Sequence, residues 1–167
     1  MGWPAGFGGI LERLSRLPTP DRSWHHTVES DATITWEVWD QKYKPNQDWN
    51  HAWRAAPANL LTPFVFGAQQ LTVGRGRVLI QPHPGTLTEV EGRMPTPHGE
   101  LSVAWKRDKN FTLTLTLPAG VTAKVELPAL AGSSGVWADG ARLMASREGQ
   151  WWTLEEDLSG AAMIEEH

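Results

Sequence analysis

Apolar and polar positions alternate most cleanly in the second half of the chain. Phe111, Leu113, Leu115 and Leu117 interleave with Thr112, Thr114 and Thr116. A period of two with Thr on the other side predicts a half-buried strand. Pro118-Ala119-Gly120 follows as a turn, and Val121, Ala123, Val125 and Leu127 alternate again, so the two runs are expected to pair as a hairpin. Leu101, Val103 and Trp105 predict the strand before them, turning through Arg107 to Asn110. Residues 136–144 predict another hairpin around Asp139-Gly140, a pair suited to the positive φ angles of a two-residue turn. Residues 78–81, 86–92, 150–154 and 162–165 add further strands. Many short strands with no helical pattern between them predict a mainly β fold, an antiparallel β-sandwich of about eight strands.

Residues 1–66 follow a different pattern and are expected to form a helical and loop segment ahead of a sandwich domain at 67–167. Ile10, Leu11, Leu14 and Leu17 recur at helical spacing until Pro18 and Pro20 stop the run. A second helix is expected over 51–66, where Trp53, Ala56, Leu60, Leu61, Phe64 and Val65 share a side. Pro57 and Pro63 should bend it, and Gly67 should end it. Between the helices, residues 18–50 are polar with little periodicity. Such a stretch in a compact protein is usually functional or poorly ordered.

Composition narrows the function classes. The 167 residues carry 15 basic and 19 acidic side chains, a net charge of -4. A protein that binds nucleic acid through phosphate contacts needs a basic excess, so no nucleic-acid partner is expected. Zero Cys removes disulfides, thiolate metal sites and Cys nucleophiles together. Met1-Gly2-Trp3-Pro4-Ala5-Gly6 lacks a basic n-region, and no apolar run approaches the ~20 residues of a membrane span. A cytoplasmic location without membrane attachment is the default expectation. Ten Trp among the fifteen aromatics is the unusual count. Indole offers a broad apolar face and one N–H donor, a surface on which sugar C–H faces pack well.

The candidate chemistry lies in two nearby runs, Ala32-Thr33-Ile34-Thr35-Trp36-Glu37-Val38-Trp39-Asp40 and Asp48-Trp49-Asn50-His51-Ala52-Trp53. Glu37 lies between Trp36 and Trp39. A carboxyl group against indole faces can have its pKa raised and serve as acid or base. A surface acid flanked by packed Trp shows the same pattern. His25, His26 and Glu29, with Asp31 close behind, form an alternative zinc ligand set, although their spacing fits no established zinc motif. Without that set no cofactor is expected. Gly6-Phe7-Gly8-Gly9 follows no strand, Gly74-Arg75-Gly76-Arg77 reads as a solvated basic turn, and Ser133-Ser134-Gly135 lacks a nucleophile-elbow context.

Several blocks resemble the C-terminal end of bacterial α-L-rhamnosidases, glycoside hydrolases with a catalytic α/α barrel followed by a β-sandwich. They are Thr35-Trp36-Glu37-Val38-Trp39-Asp40, Trp49-Asn50-His51-Ala52-Trp53, Ala55-Ala56-Pro57-Ala58-Asn59-Leu60, Val78-Leu79-Ile80-Gln81-Pro82-His83-Pro84-Gly85 and Gly92-Arg93-Met94-Pro95-Thr96-Pro97-His98-Gly99. Their order and spacing hold over about residues 30–130, whereas residues 1–29 match poorly and only the strand pattern persists beyond 130. The resemblance implies an inverting mechanism with a general acid and a general base on opposite sides of the glycosidic bond. It puts Glu37 at the base and His51 at a sugar-contacting histidine. Trp36, Trp39, Asp40, Asn50 and Trp53 become candidate sugar-binding residues.

The family's general acid lies far upstream, in a barrel loop with no counterpart in these residues. Inverting hydrolysis needs two carboxyl groups roughly 6.5–9.5 Å apart. The expectation is therefore a truncated rhamnosidase-like protein with residual carbohydrate binding and little rhamnosidase activity alone. Trp53, Leu60, Leu61, Phe64 and Phe66 would leave an apolar patch once separated from the barrel, so a two-fold homodimer is expected. One alternative is a small hydrolase, metal-dependent or promiscuous, whose site is rebuilt at the dimer interface with Glu37 and His51 as the acid/base pair. Another is a non-catalytic sandwich module for binding or assembly.

Overall fold

The computed structural model describes residues 21–52 and 59–167. The chain divides into two compact units, Met1–Leu60 and Leu61–His167. The helix expected over residues 10–17, and residues 53–58 of the second expected helix, lie outside the described residues. Among the described residues no helix is long and apolar enough to cross a membrane.

Within residues 21–51, a short helix, α1 (Trp24–Glu29), interrupts otherwise irregular backbone. Ser23 caps it: its hydroxyl accepts the His26 backbone N–H at 3.0 Å, satisfying one of the donors left open at a helix start. The remainder is stitched crosswise. The Glu37 N–H donates to the Asp48 carbonyl at 2.9 Å and the His51 N–H to the Thr35 carbonyl at 2.8 Å. The Thr35 hydroxyl donates to the His51 carbonyl at 2.8 Å. Val38 N–H donates to Oε1 of Gln47 at 3.3 Å. Gln47 is buried to 5% exposure, with its Nε2 unpartnered among the described residues. A polar stretch without periodicity is thus ordered by specific hydrogen bonds instead of a hydrophobic stripe.

The second unit is a sandwich of two six-stranded sheets. One has the order β1 (Ala68–Gln70), β2 (Arg77–Ile80), β6 (Thr122–Pro128), β10 (Trp151–Leu154) and β9 (Ala145–Glu148), with β11 (Leu158–Ser159) also on β6. The other has the order β3 (Glu89–Thr96), β4 (Gly99–Arg107), β5 (Phe111–Thr116), β12 (Ala161–Glu166), β7 (Val136–Ala138) and β8 (Ala141–Arg142). The facing sides bury the alternating residues: Leu101, Val103, Trp105, Phe111, Leu113 and Leu115 against Val78, Ile80, Ala123, Val125, Leu127 and Leu154. Burying each such large side chain contributes about 1.5–3 kcal/mol.

Several local expectations hold and several are corrected. Asp139 and Gly140 take φ values of 50° and 78° between β7 and β8, as a two-residue hairpin turn demands. The expected hairpin across Pro118-Ala119-Gly120 does not form. β5 pairs with β4 and β12, while β6 lies in the opposite sheet and runs parallel to β2. Alternation reports which side of a strand is buried, and both strands bury one side into the same core. It carries no information about the neighbour. The strand expected at 86–92 runs instead over Glu89–Thr96, because its pairing with β4 continues to the turn at Gly99. At the end of β12, period two carries Glu166 inward to 1% exposure. Its Oε1 accepts the Leu130 N–H at 2.7 Å, and its Oε2 has no partner among the described residues.

The stretch before β1 is a π-helical turn, Leu61–Phe66. Phe66, expected in an exposed patch, is buried to 8%. It lies over Gly92, where a Cβ would stand 2.9 Å from the Phe66 ring. Leu61 remains 42% exposed and borders an apolar groove of about 340 Å³ with Thr62, Val65 and Met94. Gly67 follows at φ 87°, and its carbonyl accepts the Gln81 N–H at 2.7 Å. A Cβ there would meet Pro82 N at 2.6 Å and the Gln81 carbonyl carbon at 2.8 Å. Gly67→Ala is expected to cost about 2–3 kcal/mol, combining left-handed strain with a backbone clash. Gly74→Ala, at φ 75° with nothing within 4 Å of the added Cβ, should cost only about 1–2 kcal/mol. Urea unfolding checks the pair, and equal losses would contradict the close approach at Gly67.

Candidate functional site

The crosswise bonds between residues 35–38 and 47–51 bring the two candidate runs together. Glu37 is the best-held carboxylate among them. Its Oε2 accepts the Asp48 backbone N–H at 3.1 Å, and its Oε1 accepts the Lys44 ammonium. Lys44 first, then the Asp48 N–H, holds the Glu37 carboxyl below its ordinary pKa, with His51 adding to the same effect. This corrects the expectation of a raised value. The indoles beside Glu37 in sequence do not control its titration, because a cation and a backbone donor reach both of its oxygens. An ionised carboxylate of this kind accepts protons and does not donate them at neutral pH.

The Trp residues pair across the same fold. Trp36 meets Trp49 edge to face at 4.9 Å between centroids, and Trp39 meets Trp24 likewise at 5.1 Å. Trp49 stays 48% exposed and Asn50 is exposed, so an indole surface and an amide face solvent near Glu37. Asp40 turns elsewhere. Its Oδ1 accepts the Lys42 backbone N–H at 2.9 Å and its Oδ2 contacts His26 Nε2 at 3.0 Å. Those two contacts, the backbone one larger, lower its pKa. Trp53 lies outside the described residues. Lys44 and Gln47 were not legible as site residues, and neither was the backbone bond from Asp48, since seven to eleven positions separate Lys44 and Asp48 from Glu37 without any periodic signal.

The alternative zinc set does not converge. His25 contacts Glu29 at 3.2 Å on an exposed side of α1, while His26 faces Asp40. Among the described residues no group of three or more His, Asp or Glu is placed to hold a metal ion.

A second cluster secures the 40–44 loop. Asp21 pairs with Lys42, and its Oδ2 accepts the Tyr43 hydroxyl at 2.8 Å, while the Arg22 guanidinium lies 4.3 Å over the Tyr43 ring. Lys42 chiefly, then Tyr43, lowers the Asp21 pKa to about 2. A carboxyl depressed in the folded state contributes stability above its unfolded pKa and loses it as pH falls through the folded value. The loop contacts should therefore loosen between about pH 4 and 2. Tyr43 is the single Tyr, so its ring NMR signals should show this step near pH 2 and lose it in Asp21→Asn. A step absent from the native protein would contradict the pairing.

Comparison with known proteins gives the lineage of both units. A family model described as the bacterial α-L-rhamnosidase C-terminal domain matches residues 67–142. A second, the bacterial α-L-rhamnosidase 6 hairpin glycosidase domain, matches residues 17–65. Together they take up most of the chain, in the order in which the two domains follow one another. Residues 17–65 and 67–142 thus match two consecutive domains of bacterial α-L-rhamnosidases, the pattern of a C-terminal rhamnosidase fragment. An α-L-rhamnosidase of Streptomyces avermitilis is 27% identical over 117 residues, covering 64% of this chain and 11% of its own length. An Alteromonas sp. (strain LOR) α-L-rhamnosidase is 26% identical over 129 residues, covering 72% of this chain and 14% of its own length. The chain therefore spans about a tenth to a seventh of these relatives.

Among solved structures, the α-L-rhamnosidase from Dictyoglumus thermophilum superposes with a TM-score of 0.78 at 18% identity, covering 89% of this chain and 18% of that one. The Streptomyces avermitilis enzyme complexed with L-rhamnose gives 0.77 at 23% identity, covering 93% and 16%. These likenesses concern the fold.

Proposed function

We propose that the segment around Glu37 is the base side of a rhamnoside-hydrolysing site, and that the 167-residue chain by itself carries this side without the acid. Glu37 would take the proton of the attacking water. His51 and Asn50 would contact sugar hydroxyls, and Trp36 and Trp39 would supply the apolar wall. The observation that carries the reading is the downward displacement of Glu37 by Lys44 and the Asp48 N–H. Asp21 and Asp40, the other carboxyl groups of this segment with displaced titration, are also displaced downward. A general acid needs the opposite displacement. The rhamnosidase names of the relatives supply the substrate class.

On this reading the chain binds L-rhamnose weakly and hydrolyses unactivated rhamnosides poorly. Titration of the chain with L-rhamnose, followed by the indole N–H signals of Trp36 and Trp49, tests the binding part. A saturable shift with a millimolar Kd, weakened in Asn50→Ala, is expected. Indole signals that stay fixed throughout would defeat it.

A further inference from the structure

A groove of about 320 Å³ on the sandwich is lined by Trp137, Asp139, Gly140, Met163, Glu165 and His167. It belongs to the second unit and is independent of the Glu37 reading. Strand register builds it: Trp137 on β7 stands directly opposite Glu165 on β12 and opposite Arg142 on β8. Met163 and Glu165 are two apart on β12, so they share the side of the sheet that Ile164 does not use. The Asp139-Gly140 turn closes one end.

The polar groups of the groove are oriented. The Asn110 amide Nδ2 lies 2.8 Å from His167 Nδ1, and His167 Nε2 lies 3.0 Å from Glu165 Oε2. Asn110 Nδ2 can only donate, so Nδ1 accepts and Nε2 carries the proton given to Glu165. The imidazole plane is thereby held at 68° to the Trp137 ring, at 5.2 Å between centroids. Among the described residues, Glu165 Oε1, the Asp139 carboxylate and the Trp137 indole N–H have no hydrogen-bond partner. The groove thus joins an indole and a Met side chain to two free acceptors and one free donor.

We propose that this groove binds one ring of a neutral sugar, with its C–H face on Trp137 and its hydroxyls donating to Glu165 and Asp139. The volume suits a monosaccharide unit, and an apolar floor with a few polar groups is the usual composition of a small-ligand site. A neutral ligand fits better than a cationic one. The Arg142 guanidinium lies 5.7 Å from the Trp137 ring centroid and already fills the cation role there.

The test follows the Trp137 indole N–H signal, assigned with Trp137→Phe, during titration with methyl α-L-rhamnoside, glucose, galactose and N-acetylglucosamine. At least one sugar should give a saturable shift with a millimolar Kd. Followed by the His167 ring signals, Trp137→Ala should weaken binding about tenfold, the size expected for truncating a central aromatic contact. Glu165→Gln, which keeps the ring platform, should weaken it severalfold. Glu37→Gln should leave the Trp137 shift unchanged, which separates this site from the one proposed above. The proposal is overturned if no sugar shifts the signal, if binding survives Trp137→Ala undiminished, or if tetramethylammonium shifts it and the sugars do not.

Discussion

A dinitrophenyl rhamnoside should be turned over by the 167-residue chain at least about 10²–10⁴ times faster than methyl rhamnoside, the factor a positioned proton donor contributes to a poor leaving group. On the proposed mechanism, water would attack the anomeric carbon while Glu37 takes its proton and the bond to the leaving oxygen breaks. A dinitrophenolate departs as the anion and needs no proton. A methoxide must be protonated as it leaves, and none of the displaced carboxyl groups near Glu37 holds a proton at neutral pH. Turnover of the activated substrate should disappear in Glu37→Gln. Comparable rates on the two substrates would mean that a proton donor is present after all. Activated-substrate turnover that survives Glu37→Gln would place the base elsewhere.

The second large effect concerns the core of the sandwich. Trp105 is 2% exposed, stacks on Phe111 at 5.7 Å with 24° between planes, and donates its indole N–H to the Val65 carbonyl at 2.9 Å. Trp105→Ala removes a large buried side chain and leaves that carbonyl unpaired, so a loss of about 3–5 kcal/mol is expected. Trp105→Phe keeps most of the packing but not the hydrogen bond, and should cost about 1–3 kcal/mol. Val65 lies in the π-helical turn before β1, so both variants should also release that turn from the sheet. Urea unfolding measures the losses. Faster hydrogen exchange at Phe66 in both variants would show the release. Equal midpoints for the native protein and Trp105→Phe would contradict the role given to the indole bond.

Much of the sandwich was legible because period-two alternation has a single physical cause, the burial of one side of each strand. Phe111 to Leu117 and the Asp139-Gly140 turn were read directly. Pairing partners were not legible. β5 and β6 follow each other across a short turn yet lie in opposite sheets, and the parallel contact of β2 with β6 joins strands more than forty residues apart. The short strands β1, β9 and β11 have two to four residues each, too few for alternation to stand out.

At the candidate site, residue types pointed to Glu37, Trp36 and His51. The state of Glu37 depended on Lys44 and the Asp48 backbone N–H, which reach it only through the crosswise bonds of an irregular segment. Sequence neighbours suggested burial against indoles, whereas the folded neighbours supply a cation and a donor. Trp137 was counted among the ten Trp, but its groove arises from strand register across β7, β8 and β12. No local pattern announces such a register.

The state of Glu37 decides between base and acid, and it can be measured in the chain as it is. Carboxyl carbon NMR shifts followed against pH, with the Glu37 signal assigned by Glu37→Gln, should give a midpoint below the ordinary glutamate value and a rise toward it in Lys44→Met. A midpoint above the ordinary value in the native chain would make Glu37 a proton donor and contradict the assignment of the base side.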